Sequence, residues 1–149
     1  MLTFDKPVLL IDTREQYPLD FKRHSDRFQH IITQTLKEGD YSVYVPGDSR
    51  KIAFERKSLG DLVGTLIGGR ERFKRECERL LAYDYAALLI EASFREVSSP
   101  YGFSRVNPAS ILGSLQSISL QFGIDVIFAG DRNSAVDIAM SKIGGYYGC

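Results

Sequence analysis

Two short, uninterrupted runs of apolar residues constrain the fold of this chain more than any other feature. They occupy residues 8–11 and 86–90. Each run has the length of a buried β-strand, and neither approaches the roughly 20 apolar residues that a membrane-spanning helix needs. The chain therefore requires other secondary structure to cover these strands, and it is not expected to cross a membrane.

Strand and helix patterns alternate along most of the chain. Periodicity predicts strands at residues 8–12, 30–36, 41–45, 51–55, 85–91 and 125–129, and helices at residues 58–67, 70–83, 109–122 and 133–143. Residues 16–29 are polar and ambiguous, and residues 92–108 are expected to form a long loop. This order is typical of an α/β fold in which helices flank a mixed central sheet, and 149 residues suit a single domain.

Composition excludes several functional classes. The chain has 19 basic and 19 acidic residues, so it cannot hold nucleic acid by bulk charge, and any such contact must come from a local basic patch. Its two cysteines, Cys77 and Cys149, are far apart and lack a CxxC pattern, which excludes the usual zinc site and favours a reducing compartment. The first six residues lack the order of a secretion signal. We therefore expect a cytoplasmic, nucleoid or nuclear protein that is not secreted.

A predicted hairpin formed by residues 41–45 and 51–55 places charged side chains on one face of the sheet. The apolar alternation favours a register that pairs Val45 with Ile52, Val43 with Phe54, Tyr41 with Arg56, Ser42 with Glu55, and Asp40 with Lys57. Cross-strand partners lie about 5 Å apart, and neighbours on one face of a strand about 6–7 Å apart. Asp40, Glu55 and Lys57 are therefore expected to gather at the open end of the hairpin.

Two carboxylates beside an ammonium group suit a hard divalent cation. Mg²⁺ prefers oxygen ligands and keeps several waters, so Asp40 and Glu55 would hold the ion between them. Lys57 would orient a water or stabilise the negative charge of a phosphodiester transition state. It is a weak candidate for a general base, because an unperturbed lysine has a pKa of about 10.4. A Glu-x-Lys pattern also occurs in many chains as a solvated ion pair, so this pattern alone leaves both interpretations open.

Three short motifs carry a resemblance to a known family. They are DTRE at residues 12–15, GDY at residues 39–41 and ERKSLGD at residues 55–61. In order and spacing they resemble the VDxRE, GDY and ERKxxxD signatures of the XPF-type structure-selective endonuclease domain, a branch of the PD-(D/E)xK nucleases. The likeness covers roughly residues 7–146. It implies a restriction-endonuclease-like fold and a metal-dependent endonuclease that cuts branched, flap or fork DNA in repair or recombination.

The resemblance assigns roles in the site by position. Catalytic roles fall on Asp12, Arg14, Glu15, Asp40, Glu55, Arg56 and Lys57. Within this set, Asp40 and Glu55 match metal-binding carboxylates, Asp12 matches an acidic residue of the same site, and Lys57 matches the catalytic lysine. The implied cofactor is Mg²⁺ or Mn²⁺. Taken alone, Asp12 and Glu15 would also fit ordinary turn residues, and Arg56 would fit a surface arginine.

Some positions depart from the family pattern or remain open. Glu76 stands where the family usually has a glutamine, so a third carboxylate could bind metal or water, or could be a plain surface charge. Asp61 completes the third motif, but it would equally suit the positive end of a helix dipole. Relatives usually append tandem helix-hairpin-helix domains, and none is expected within residues 1–149. The sequence thus predicts one nuclease domain whose substrate selectivity has an open origin.

Basic residues predict where DNA would lie. One group follows the glycine pair at residues 68–69, and the other lies in the predicted loop at residues 92–108. The first group contains Arg70, Arg72, Lys74 and Arg75, and the second contains Arg95 and Arg105. These side chains would contact phosphates, and the aromatic residues of the loop could stack on unpaired bases. The alternatives are a solvated helix face with i,i+4 ion pairs and a loop whose aromatic rings pack on the core.

The predicted last helix, at residues 133–143, is apolar on two sides. One side would contact the sheet, and the other could contact a second subunit. Because members of the family pair through this domain, the resemblance implies a homodimer or heterodimer. A core helix enclosed by its own chain would show the same pattern. The alternative function is a non-catalytic DNA-binding or dimerising subunit of a nuclease complex, and the retained carboxylates and lysine favour catalysis.

Overall fold

The computed structural model describes residues 5–149 of the chain. Its strands are β1 (Val8–Asp12), β2 (His30–Gln34), β3 (Tyr41–Tyr44), β4 (Lys51–Lys57), β5 (Tyr85–Ile90) and β6 (Asp125–Phe128). Its α-helices are α1 (Leu59–Gly68), α2 (Arg70–Leu80), α3 (Phe94–Ser98), α4 (Pro108–Phe122) and α5 (Arg132–Tyr147), and a 3-10 helix covers Lys22–Arg27. The first four residues, on which part of the argument against a secretion signal depends, lie outside the described residues.

The six strands form one mixed sheet in the order β2-β1-β3-β4-β5-β6. β1 is parallel to β2, β3 is antiparallel to both of its neighbours, and β4, β5 and β6 are parallel to one another. One apolar cluster joins a face of the sheet to α5, and a second joins the opposite face to α1, α2 and α4. The predicted α/β fold, with a mixed central sheet between helices, is confirmed.

The directions of the strands bring charged residues to one edge of the sheet. β3 is antiparallel to β1 and β4, so its amino end lies beside the carboxyl ends of those two strands. Asp12 is the last residue of β1, Asp40 directly precedes β3, and Glu55 and Lys57 lie in the last three residues of β4. The topology therefore gathers residues that lie far apart in the sequence.

The predicted register of the hairpin between β3 and β4 is wrong by two residues. Val43 lies opposite Ile52 rather than Phe54, and the other predicted pairs are displaced by the same amount. The turn begins earlier than expected, because the carbonyl of Val45 accepts a hydrogen bond from the amide of Asp48 (2.9 Å) and this residue leaves the strand. A displacement of two residues keeps every side chain on its predicted face, since side chains alternate with a period of two.

The segment predicted as a long loop contains a short helix, α3. A capping box begins it: Ser93 Oγ accepts a hydrogen bond from the amide of Glu96 (3.1 Å), and the Glu96 carboxylate accepts one from the amide of Ser93 (3.0 Å). Val97 is fully buried and attaches the helix to the core. The prediction missed α3 because its five residues are too few to show a helical period.

Most of the apolar surface of α5 is buried within the chain itself. Ala135, Val136, Ala139, Met140 and Ile143 are buried and belong to the cluster on one face of the sheet. Contacts within the chain thus account for most of the two-sided apolar pattern, and Ile138 is only partly buried. Within residues 5–149, no helix has the length and apolar character that crossing a membrane requires.

Candidate active site

A cavity of about 290 Å³ lies at the edge where β1, β3 and β4 bring their charged residues together. The residues that line it are Asp12, Arg14, Lys37, Glu38, Gly39, Asp40, Glu55, Lys57, Glu76, Arg79 and Leu80. This set includes every carboxylate that the sequence marked as a metal ligand, together with the predicted lysine. The cavity is therefore the candidate active site.

Main-chain geometry fixes the position of the Asp40 carboxylate. Gly39 has a φ of +78°, a left-handed conformation that suits glycine and turns the chain into β3. The amide of Asp40 donates a hydrogen bond to the carbonyl of Phe54 (3.0 Å). Asp40 Oδ2 accepts a hydrogen bond from the amide of Arg56 (2.7 Å). Two main-chain groups of β4 thus hold Asp40 beside the strand that carries Glu55.

Glu55 and Lys57 project from the same face of β4 into the cavity. Lys57 Nζ lies 3.9 Å from Glu55 Oε1, and the exposed fractions of the two side chains are only 16% for Lys57 and 18% for Glu55. The ammonium group also lies 5.5 Å from the centre of the Phe73 ring on α2, within the range of a cation–π contact. A carboxylate and an aromatic ring therefore restrict where the ammonium group can lie.

Burial and charge repulsion raise the pKa values of the two central carboxyl groups. The pKa of Glu55 is raised to about 8, first by removal from water and then by the negative charge of Asp40, while Lys57 lowers it. Removal from water also raises the pKa of Asp40 to about 6, although the hydrogen bond from the amide of Arg56 lowers it. A cation between the two carboxylates would relieve both the repulsion and the loss of water contacts.

Asp12 lines the cavity, but both of its carboxylate oxygens already accept hydrogen bonds. Oδ1 accepts from the amide of Leu36 (3.1 Å), and Oδ2 accepts from Arg14 Nε (2.8 Å). Arg14 Nη2 also donates to the carbonyl of Leu36 (2.6 Å). Asp12 and Arg14 thus fasten the segment between β2 and β3 to the end of β1, and the oxygens of Asp12 are less free to bind a metal than those of Asp40.

Arg56 and Glu15 lie outside the cavity, in an ion-pair network on the opposite face of the sheet. Arg56 Nε is 3.0 Å from Glu15 Oε2, and Arg56 Nη1 is 2.7 Å from Glu91 Oε1. The hydroxyl of Tyr41 donates to Glu15 (2.8 Å), and Arg132 approaches Glu91 from α5 (3.7 Å). Arg56 therefore faces away from the carboxylates, while its main-chain amide binds Asp40.

Glu76 lines the cavity, whereas Asp61 does not. The charge of Glu76 raises the pKa of Glu55, which places it within electrostatic reach of the two central carboxyl groups. The amide of Asp61 donates to Ser58 Oγ (3.2 Å), so Asp61 lies in the first turn of α1, at the positive end of the helix dipole, as its alternative interpretation has it. Within the described residues, no three His, Cys, Asp or Glu side chains are placed to ligate one metal ion. Asp40 and Glu55 are thus the central pair that could hold a cation.

The predicted DNA-contacting residues form two separate groups. Arg70, Arg72 and Arg75 line a shallow cavity of about 500 Å³ beside the glycine pair that separates α1 from α2. Lys74 instead approaches Glu71 on the same helix (3.9 Å). Arg95 lies in α3, Arg105 lies in the segment that follows it, and both residues are exposed. The structure thus places the first group near the end of α1 and Arg95 near its start, without bringing any of these residues into the active-site cavity.

Two residues near the site were given no role on the basis of the sequence. Glu91 follows β5, which runs parallel to β4, so it lies at the same edge and pairs with Arg56. An acidic residue directly after a buried strand was visible in the sequence, but the adjacency of β4 and β5 was not. Phe73 looked like an ordinary core residue on a helix, and no sequence pattern indicates its contact with Lys57.

Comparisons with known proteins find a family profile and sequence relatives that match most of the chain. The sequence profile of the ERCC4 domain matches residues 11–141. The chain is 26% identical over 134 residues to a Methanocaldococcus jannaschii protein named as an ATP-dependent RNA helicase, and 32% identical over 131 residues to the DNA repair protein rad16 of Schizosaccharomyces pombe. These alignments cover 89% and 80% of this chain but only 15% and 14% of those proteins. The chain therefore spans about a seventh of the length of these relatives.

Solved structures show the same fold. XPF from Aeropyrum pernix, and XPF from the same organism in complex with DNA, each superpose with a TM-score of 0.68. The sequence identities are 22% and 24%, and the matches cover 93% and 91% of this chain. They cover 65% and 62% of the two XPF chains. The mixed sheet with its flanking helices is thus the fold of the XPF nuclease.

Proposed function

Since the chain belongs to the ERCC4 domain family, we propose that it is a divalent-metal-dependent endonuclease that hydrolyses phosphodiester bonds in branched or flap DNA. Two relatives support DNA as the substrate: one is named as a DNA repair protein, and a protein of the same fold has been solved in complex with DNA. A role in DNA repair is part of this proposal.

One observation carries the proposal: Asp40, Glu55 and Lys57 converge in a single cavity at the edge of the sheet. The three side chains come from adjacent strands, and main-chain hydrogen bonds and burial restrict their positions. Nucleases that rely on a divalent ion need hard oxygen ligands and a positive group near the phosphate that is cut. This cavity supplies both.

The donor set fits Mg²⁺ or Mn²⁺. Mg²⁺ usually keeps several waters and is held by one or two carboxylates, so Asp40 and Glu55 suffice and a third protein ligand is not required. The raised pKa values of these two groups indicate that the pair lacks a neutralising charge of the kind a divalent ion provides. When bound, such an ion would polarise the phosphodiester and make a water more acidic.

The residues of the chain have separate tasks in this proposal. Asp40 and Glu55 bind the ion and set its position relative to the strand ends. Lys57 lies beside them and stabilises the negative charge that develops on the phosphate oxygens in the transition state. Asp12 and Arg14 keep the segment before β3 in place, and the main-chain amide of Arg56 orients Asp40.

Cleavage assays test the proposal. The purified chain is incubated with Mg²⁺ or Mn²⁺ and with flap, splayed-arm and linear duplex DNA. Glu55→Gln and Lys57→Met should each lower the cleavage rate by at least about 100-fold, the usual cost of losing one charge-stabilising group. Lys51→Met is the matched control, because Lys51 is an exposed lysine at the other end of the same strand. Undiminished cleavage by Glu55→Gln or Lys57→Met would remove the proposed site.

A non-catalytic role is the second candidate. One observation favours a chain that binds DNA or a partner subunit without cutting: both carboxylate oxygens of Asp12, which the resemblance placed in the metal site, already accept hydrogen bonds. Tight binding of the DNA panel with no cleavage under any metal condition would favour this role over catalysis. We also propose that two nuclease domains pair, as a homodimer or a heterodimer.

A further inference from the structure

We propose that Tyr101, Phe103 and Arg95 form a binding subsite for an unpaired nucleotide of DNA, at the same edge of the sheet as the carboxylates. The inference rests on the proposed function, because it takes DNA as the ligand. It adds that the substrate presents a single-stranded segment on the α3 side of the active site.

Two aromatic rings of the segment after α3 form a stacked pair. The ring centres of Tyr101 and Phe103 lie 5.6 Å apart, and the ring planes differ by only 16°. Tyr101 is the fixed member: it packs against the apolar cluster beneath, and its hydroxyl donates to the carbonyl of Val97 (2.5 Å). Phe103 is the outer member, with 59% of its surface exposed. An exposed ring held nearly parallel to a partly buried ring is a stacking surface for a further flat group.

Hydrogen bonds and burial hold α3, the helix that precedes the aromatic pair. The capping box holds the start of α3, and Val97 is completely buried. At the end of α3, Ser99 Oγ donates to the carbonyl of Arg95 (2.6 Å). An exposed aromatic ring on a fixed support loses little conformational freedom when a ligand stacks on it, which favours binding.

The cavity next to the pair has the chemistry of a nucleotide site. It measures about 310 Å³ and is lined by both rings and by Arg95. Arg95 is exposed and has no ion pair among the described residues, so its guanidinium group is available to a phosphate. Glu96 also lines the cavity, where one oxygen of its carboxylate accepts a hydrogen bond from the amide of Ser93, so Arg95 supplies the positive charge and Glu96 a negative one. Aromatic stacking with a nearby arginine is how proteins hold single-stranded DNA without reading its sequence.

The topology places this cavity beside the candidate active site. Leu59, the first residue of α1, lines it, and Leu59 follows Lys57 by two positions. β4 and β5 are parallel, so α1 and α3 both begin at the carboxyl edge where Glu55 and Lys57 lie. A strand whose phosphodiester lies at the carboxylates would therefore have neighbouring nucleotides near Phe103.

Binding measurements in the absence of metal test the subsite. The probe is a short oligodeoxythymidine that carries one 2-aminopurine, whose fluorescence falls when the base stacks. Phe103→Leu should weaken binding of this probe about tenfold and abolish the quenching, because one base–aromatic stack is lost. Phe103→Trp, which keeps a stacking ring, should retain both. Tyr17→Leu is the control, because Tyr17 is also an exposed aromatic residue (74%) but does not line this cavity.

Each outcome decides the proposal. Loss of quenching in Phe103→Leu alone, with unchanged binding of a fully paired duplex, supports it. No quenching with the wild-type chain, unchanged binding by Phe103→Leu, or an equal loss in Tyr17→Leu overturns it. The subsite and the proposed function can fail separately. If the wild-type chain quenches the probe but cuts no DNA, the catalytic proposal is wrong. If the wild-type chain cuts DNA but Phe103→Leu binds the probe as well as wild type does, the subsite proposal is wrong.

Discussion

Asp40 and Glu55 occupy positions that lower the stability of the metal-free fold. A carboxylate that leaves water without a neutralising partner destabilises the folded chain. Here two such groups lie close together, and the pKa values of both are raised. Residues with this property concentrate at functional sites, because selection for activity outweighs the loss of stability there.

Glu55→Gln should therefore stabilise the metal-free protein at alkaline pH. The folded-state pKa of Glu55 is about 8, above its ordinary value of 4.5. Its contribution to the free energy of unfolding is thus fully present below about pH 4.5 and is lost as the pH rises through about 8. Urea unfolding with a chelator at pH 9 should show a gain of about 1–2 kcal/mol for the variant, and little gain near pH 4.5.

Glu78→Gln provides the comparison, because Glu78 is an exposed residue of α2 that does not line the cavity. Its free energy of unfolding should stay within about 0.5 kcal/mol of wild type at both pH values. A Glu55→Gln protein that is less stable than wild type at pH 9 would contradict the electrostatic account of this site.

At the level of elements, the hairpin between β3 and β4 shows what alternation can and cannot predict. Alternation placed Asp40, Glu55 and Lys57 on one face correctly, since the period of a strand is two. It could not fix the register, because a displacement of two residues preserves every face. The turn between the two strands determines the register instead. The amide of Asp48 donates a hydrogen bond to the carbonyl of Val45, and the carboxylate of Asp48 forms an ion pair with Arg50. As a result, Asp40 lies against the amide of Arg56 rather than opposite Lys57.

Gly39→Ala should destabilise the chain and weaken the site together. Gly39 has a φ of +78°, and a Cβ there would lie 3.4 Å from the Cβ of Ala53. The strained backbone should cost about 1–2 kcal/mol of unfolding free energy and shift the Asp40 carboxylate away from the Arg56 amide. Thermal unfolding and the cleavage rate measure the two effects.

Gly113→Ala is the contrasting substitution for this experiment. Gly113 lies within α4, has an ordinary helical backbone, and has open space where a Cβ would be. It should stabilise the protein by about 0.5–1 kcal/mol and leave cleavage unchanged. Equal effects of the two substitutions would mean that the turn before Asp40 does not need glycine.

For the whole molecule, periodicity predicted the layered α/β fold, because long apolar runs and amphipathic helices are global constraints on what must be buried. The order of the strands was not predictable, since nothing in residues 85–90 indicates which strand lies beside them. That order creates the contact between Glu91 and Arg56, and it leaves β6 at one edge of the sheet. The sequence therefore did not predict the ion-pair network on the face opposite the cavity. It did predict the central charged residues that line the cavity.

Most of the apolar surface of α5 is buried within the chain. We therefore expect two domains to pair through the β6 edge of the sheet rather than through α5. Leu120 on α4 is 87% exposed, and it lines an apolar cavity of about 510 Å³ with Phe94 and Phe128. If two nuclease domains pair, this surface offers more apolar contact than α5 does. Leu120→Asp should then convert a dimer to a monomer in sedimentation equilibrium, because a buried unpaired charge opposes association. Leu81→Asp is the control, because Leu81 is also an exposed leucine (55%) but lies after α2, and this variant should remain dimeric. A wild-type chain that stays monomeric at every concentration would contradict self-pairing.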